Sequence, residues 1–337
     1  MRIAILAHDN FPHHSKTATG VMRYGDYQVE ALLDRANVGS TVSEFVPDLP
    51  DIPIVEGMDD VGAVDALLVG ISPIGGAFDE SWRPDVCTAL ERGCDVISGL
   101  HFFLSDDEEF ARLEAENEGE IWDVRRPPEG LTVSEGVARD VDAEIVLTVG
   151  TDASVGKMTA TLELLEAARE RGHSAAFIPT GQTGIMIDGW GMPVDRVISD
   201  FIAGSVEEMI VERGNDYDYL FVEGQGSINH PAYSGVTCGI LHGSMPDRLV
   251  LCSEAGQEVI GSYESFSIPP YAEVAELYES LAAPVAETEV VAGALNTVKI
   301  EDDEAAREAV ESYGAALGLP ATDVIRFGTD EILEAIL

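Results

Sequence analysis

Apolar residues fall into two rhythms that alternate along the chain. Short unbroken runs such as MRIAILA (1–7), VDALLVGISP (64–73), CDVISGLHFFL (94–104) and EIVLTV (144–149) read as strands buried on both faces. Stretches with apolar positions three and four apart, such as SWRPDVCTALERG (81–93) and SDDEEFARLEAENEGE (105–120), read as amphipathic helices. The first half becomes strand 1–7, polar loop 8–25, helix 26–36 (DYQVEALLDRA), strand 41–46 (TVSEFV), strand 64–73, helix 81–93 stopped at Gly93, strand 94–104 and helix 105–120. The second becomes strand 144–149, helix 157–171, strand 174–179, helix 193–213, strand 218–223, strand 247–252 and further α/β pattern to the end.

This alternation predicts mostly parallel sheets. The composition shifts between 105 and 143, where WDVRRPPEGLTVSEG (122–136) carries a proline pair and turn residues. That stretch reads as a linker or a late strand of the first domain. We therefore expect an α/β protein, with a Rossmann-like domain over 1–140 and a second α/β domain over 141–337. GISPIGG (70–76) is glycine-rich but lacks the GxGxxG spacing, so no dinucleotide site is assigned there.

Charge narrows the function classes. The chain has 62 acidic against 19 basic residues, a formal net charge of -43. Such a field repels nucleic acid and anionic membranes, and neither is expected as a partner. Hydrophobic residues make up 45%, too many for a disordered acidic chain. A salt-adapted cytoplasmic protein fits better, with its self-repulsion screened at high ionic strength. No apolar run approaches the roughly 20 residues of a membrane span. The N-terminus enters a strand directly, without the layout of a signal peptide. Cys87, Cys94, Cys238 and Cys252 have no metal-site spacing and read as reduced, mostly buried thiols.

Only three lysines survive in this chain, and one stands in GTDASVGKMT (150–159). The run lies between an apolar strand and a helix. It departs from the Walker A pattern twice: five residues, not four, separate Gly150 from Gly156, and Met158 replaces the usual Ser or Thr. The physics survives both changes. The two glycines let successive N–H groups of Thr151, Asp152, Ala153, Ser154 and Val155 turn inward on an anion. The helix start adds partial positive charge, and Lys157 supplies a full one. Thr159 is the candidate hydroxyl for a phosphate or Mg²⁺, with Thr161 following. We expect this loop to bind phosphate.

Other loops fall on the same edge. YLFVEGQGS (219–227) ends a strand in Glu223, suited to Mg²⁺ or a substrate ammonium. TGQTGIMIDGWG (180–191) carries Asp188, a candidate acid or base. SINHPAYSG (227–235) carries His230, whose ordinary pKa suits proton transfer near neutrality. Asp195 and Asp200 are weaker metal candidates, and His242 and Ser244 are placed along the pocket.

The G-T-D-x-x-V-G-K start and the later V-E-G resemble dethiobiotin synthetase and its SIMIBI relatives among P-loop proteins. Taken with KTATGVMRYG, VGISPIGG, ISGLHFFLSDD, TGQTGIMIDG, GILHGSMPD and GALNT, they resemble one family over nearly all 337 residues. That family was long catalogued as a domain of unknown function and includes D-glutamate N-acetyltransferases. The resemblance implies a Rossmann-like domain followed by a P-loop NTPase-like, SIMIBI-type domain. It also implies acetyl transfer from acetyl-CoA to the amine of D-glutamate, with coenzyme A phosphates in the loop. Glu223 and His230 then take base or amine-orienting roles, and amides near Gly224–Gly226 donate to the oxyanion. Lys16, Arg23 and Gln225 receive the dicarboxylate substrate. No resident metal is expected, and a homo-oligomer is. Two alternatives stay open: an ATP- and Mg²⁺-dependent enzyme activating a carboxylate, and a non-catalytic nucleotide-binding switch.

Overall fold

The computed structural model describes residues 1–73 and 75–337, so the GISPIGG run is described except for Ile74, which lies outside the described residues. The chain forms two compact units, residues 1–127 with 182–193, and residues 128–181 with 194–337.

The first unit is built on a six-stranded sheet. Its elements are β1 (Arg2–Leu6), α1 (Lys16–Tyr24), β2 (Gln28–Leu33), β3 (Ile54–Val55), β4 (Ala66–Val69), α2 (Arg83–Glu91), β5 (Asp95–Ser98), α3 (Glu108–Glu116) and β6 (Ile121–Asp123). The strand order is β3-β2-β1-β4-β5-β6, parallel throughout. That is the doubly wound Rossmann order, with its switch point between β1 and β4. The all-apolar strands are buried on both faces, as the unbroken runs require. Helix α3 starts where the Asp107 carboxylate caps the Glu109 and Phe110 amides.

Three expectations fail here. Residues 28–33 form β2, not a helix: Ala, Leu and Glu favour helix locally, but pairing between β1 and β3 buries Leu32 and Leu33 completely. Residues 42–44 form a 3₁₀ turn rather than a strand, with only Val42 buried. The loop at 8–25 contains α1, whose buried face is Thr17, Ala18, Gly20, Val21 and Met22. Small and hydroxyl residues disguised that helix.

The second unit comprises β7 (Glu144–Gly150), α4 (Lys157–Glu170), β8 (Ala175–Ile178), α6 (Ile202–Arg213), β9 (Tyr219–Val222), α7 (Ser234–Ser244), β10 (Arg248–Glu254), the β11 (Val259–Ile260) and β12 (Tyr263–Ser267) hairpin, α8 (Tyr271–Ala282), β13 (Glu289–Asn296), α9 (Asp303–Leu317), β14 (Ala321–Thr322) and α10 (Asp330–Ile336). Helix α5 (Gln182–Asp188) interrupts this series and belongs to the first unit. Ile185 and Met186 enter the first core, and Tyr27 donates to the Met186 carbonyl at 2.7 Å. The stretch expected as loop 180–191 thus contains a helix. The expected helix 193–213 shortens to α6 after two 3₁₀ turns.

The second sheet has the order β14-β13-β10-β7-β9-β8, again parallel. β7 lies between β9 and β10, so the chain order reverses beside it, and this is where such sheets bind ligands. The unit begins at 128, ahead of the expected 141, because 134–137 are clamped to α6. Glu207 accepts from Glu135 N at 2.6 Å, Ser134 Oγ at 2.9 Å and Val137 N at 2.8 Å.

Candidate phosphate site

The loop from Gly150 to Lys157 crosses the carboxyl end of the second sheet. Gly156 caps α4 with φ 108°, a left-handed conformation that favours glycine, and no side chain caps the helix. Ser154 is left-handed as well, at φ 58°. Of the loop amides expected to turn inward, two are spent within the protein: Thr151 N donates to the Cys252 carbonyl at 3.0 Å and Ala153 N to Asp152 Oδ1 at 2.6 Å. The α4 start, which no side chain caps, is the candidate anion contact. Lys157 is the first residue of that helix and is buried, its Nζ donating to the Asp152 carbonyl at 2.8 Å. A lysine at this end opposes the helix dipole, so it is a poor choice unless an anion joins it. The loop is also tight. A Cβ on Gly150 would sit 3.0 Å from Lys157 Nζ, and one on Gly224 would sit 1.7 Å from the Thr148 carbonyl oxygen.

The residues around the lysine split between cradle and scaffold. Met158 packs into the core, while Thr159 is half-buried at the third helical position. Thr161 Oγ1 donates to the Lys157 carbonyl at 2.8 Å and meets Thr148 Oγ1 at 2.8 Å, a bracing role. Thr151 Oγ1 meets Ser253 Oγ at 3.0 Å on β10. Asn296, the polar residue of GALNT, lies against Gly156.

Asp152 ties the loop to its neighbours. Its buried carboxylate accepts from Ala153 N at 2.6 Å, from Nε2 of Gln257 just ahead of β11 at 2.5 Å and from Gly261 N in the β11–β12 turn at 2.7 Å. His230 Nε2 stands 3.7 Å from Asp152 Oδ1. His230 Nδ1 accepts from Ala232 N at 3.0 Å and Tyr233 N at 3.3 Å, so the ring proton sits on Nε2 and faces Asp152. Burial, helped by the Lys157 charge and opposed by Asp152, holds its pKa below the ordinary value. Nδ1 is thus held by two backbone donors, while Nε2 faces Asp152 at a separation longer than a hydrogen bond.

Tyr278 is a residue that no motif in the sequence marks. Its hydroxyl, on α8, donates to the Gly150 carbonyl at 2.8 Å and accepts from Ile228 N at 3.0 Å. Burial pushes the phenol up to about 12. The signal available was a tyrosine on the apolar stripe of α8, where a buried hydroxyl must find a partner.

Glu223 follows β9, and its Oε2 accepts from Thr180 N at 3.2 Å and Gly181 N at 3.0 Å. Gln225 Nε2 donates to the Thr180 carbonyl at 2.6 Å, and Gly224 N donates to Thr148 Oγ1 at 3.2 Å. Glu223, Gln225, His230 and the loop thus share one sheet edge. Asp188 is exposed at the end of α5, in the first unit. Lys16 is the exposed first residue of α1, and Arg23 pairs with Asp48. His242 and Ser244 do not line the loop, because α7 carries them back towards the amino edge; they bond to the Leu281 and Ile240 carbonyls. Asp195 and Asp200 lie on 3₁₀ turns, and no metal-holding group of three His, Cys, Asp or Glu occurs among the described residues. An open depression of about 920 Å³ sits at the opposite edge, beside Glu144, Asp247, Arg248 and Glu289. In its lining Asp142, Glu144, Asp247, Glu279, Glu287 and Glu289 outweigh Arg139 and Arg248, a net negative charge that disfavours an anion.

The four thiols are free, with Cys94 and Cys252 buried. No helix among the described residues is long and apolar enough to cross a membrane.

The comparisons agree along the whole chain. Residues 132–333 match the P-loop domain described as a domain of unknown function, DUF1611_C, and residues 35–127 match the Rossmann-like DUF1611_N domain. A D-glutamate N-acetyltransferase of Tritonibacter scottomollicae is 35% identical over 271 residues, 80% of each chain. A D-glutamate N-acetyltransferase of a Pseudoalteromonas species is 34% identical over 267 residues, 79% of each. A crystal structure of a DUF1611 family protein from Anabaena variabilis is 39% identical and superposes with a TM-score of 0.95, covering 99% of this chain and 98% of that one.

Proposed function

The chain belongs to the DUF1611 family, and from that premise we propose that it moves an acetyl group from acetyl-CoA to the amine of D-glutamate. Two relatives near 35% identity bear that activity in their names. The observation that carries the cofactor side is Lys157, buried at the start of a helix that no side chain caps. The fit to a coenzyme A diphosphate is chemical. A helix start without a side-chain cap, a left-handed glycine and one cation suit a diphosphate, and the usual hydroxyl after the lysine is replaced by buried Met158. That last feature favours a coenzyme over nucleotide hydrolysis.

In this reading Lys157 exchanges the Asp152 carbonyl for a phosphate oxygen, and the α4 amides complete the grip. Glu223 keeps Thr180 and Gly181 beside the cradle and faces the substrate ammonium, which must lose a proton before its nitrogen attacks. The C–N bond that forms replaces the thioester C–S bond, and the thiol leaves with a proton. Gly224 N is committed to Thr148, so the oxyanion falls to the Gln225 and Gly226 amides. His230 orients Asp152 in this reading, its Nδ1 held by the Ala232 and Tyr233 amides and its Nε2 facing the Asp152 carboxylate.

The test is thiol release from acetyl-CoA in high salt, with D- and L-glutamate side by side. Release that requires D-glutamate and collapses in Lys157→Ala is the expected result. Release of ADP from ATP on adding a carboxylate would replace this reading with a ligase-like one. Nucleotide binding without turnover would make the protein a switch.

A further inference from the structure

We propose that the P-loop is continued by an aromatic ledge, Tyr233, Tyr263 and Phe266, on which the adenine ring of the bound adenosine diphosphate moiety stacks. The inference rests on the cradle reading above and adds the subsite for the base. All three rings are solvent-facing, at 48%, 38% and 47% exposure, in a chain whose surface is otherwise dominated by carboxylates. They are not scattered. Tyr233 stacks on His230 with centroids 4.4 Å apart, and Tyr263 meets the same imidazole edge-on at 5.1 Å. Phe266 continues the row at 6.4 Å from Tyr263. His230 is thus the buried spine of an exposed aromatic row.

The row is anchored to the cradle. Gln257, just ahead of the hairpin, and Gly261 in its turn bond the carboxylate of Asp152, which is inside the phosphate loop. Tyr263 stands two residues from Gly261, at most about 7 Å along the chain. Every residue of β12 is exposed, so its rings hold no core together. Glu258 and Glu264 flank them, and such neighbours repel phosphates while tolerating a neutral heterocycle. A flat π-face that reads no hydrogen-bond pattern is what a base needs beside a phosphate site. Adenosine diphosphate is common to coenzyme A and ATP, so the ledge serves either.

Calorimetry on the full chain separates the possibilities, using coenzyme A, ADP and inorganic pyrophosphate as ligands. In the Tyr263→Ala/Phe266→Ala double variant, coenzyme A and ADP should weaken at least tenfold while pyrophosphate holds. Tyr263→Phe, which keeps the ring, should bind as the parent does. Equal losses for all three ligands would make the hairpin a brace and overturn the ledge. Undiminished coenzyme A and ADP binding in the double variant, with Lys157→Ala still abolishing it, would overturn the ledge and leave the cradle. Pyrophosphate binding that survives Lys157→Ala would remove the cradle, and the ledge with it.

Discussion

Two of the three lysines, Lys16 and Lys157, occupy the same place in different sheets: each is the first residue of the helix after a sheet's opening strand. Both helices lack a side-chain cap. The outcomes differ because the loops differ. Before α1, the Asp9 amide is bound by Asp34 at 2.7 Å, the Ala18 amide goes to the Gly70 carbonyl at 2.9 Å, and Thr17 Oγ1 meets Thr183 Oγ1 at 2.9 Å. Lys16 points to solvent. Before α4, a left-handed glycine turns the chain and the lysine folds inward. A lysine at a helix start is thus not a phosphate site in itself. The two lysines differ in burial and partner: Lys157 is buried with its Nζ on the Asp152 carbonyl, whereas Lys16 is exposed.

Carboxylates sharpen the contrast. In the first unit, Asp85 accepts from Met58 N at 2.7 Å, His8 Nε2 at 3.0 Å and Arg35 Nη2 at 3.2 Å. Burial raises its pKa, but these partners more than offset that and hold it below the usual range. Asp123 likewise binds Leu104 N at 2.8 Å and Ser105 N at 3.0 Å. The edge of the first sheet spends its acids closing turns, whereas the second places a buried lysine at a helix start that no side chain caps.

The most decisive way to break this comparison is to exchange the lysines' fates. Lys157→Ala should weaken coenzyme A binding about 100-fold by calorimetry, as expected for loss of a charged hydrogen bond worth about 2–3 kcal/mol. Lys16→Ala should change it by less than about twofold. Next, Asp85→Asn should cost about 2 kcal/mol in urea unfolding, since buried partners lose a charged acceptor, yet leave coenzyme A affinity unchanged. A parallel loss of affinity would show that the edges are not independent. Tyr278→Phe should cost about 1 kcal/mol and weaken coenzyme A several-fold, because the Gly150 carbonyl and Ile228 amide lose their shared hydroxyl. The smallest effect concerns pH. His230 is held below its ordinary 6.5, so the unfolded chain binds that proton more readily. Stability should therefore rise with pH in the window below 6.5, and His230→Asn should flatten that slope. An unchanged slope would remove the histidine from the account.

Much of this was legible beforehand. The buried runs that became β1, β4, β7 and β10 announce themselves because both faces of a parallel strand are covered. The β7–α4 turn was legible at Gly150 and Gly156, because glycines bounding a strand-to-helix loop free its backbone angles. β2 was not, since QVEALL carries helix-forming residues whose fate is decided by the strands on either side. The amides that hold His230 Nδ1 come from the turn it starts, and spacing does not reveal them. Tyr278 was invisible as a functional residue because its partners come from loops 128 and 50 positions away in the chain.

The helix at 182–188 has a consequence for biosynthesis and for engineering. A fragment ending at 127 would lack Thr183, Ile185 and Met186, which help fill the first core. On the ribosome that core stays unfinished until about a third of the polypeptide beyond its last native strand has emerged. Shuffling halves of such genes at the apparent midpoint should yield insoluble products, whereas grafts that carry residues 182–193 with the leading segment should fold.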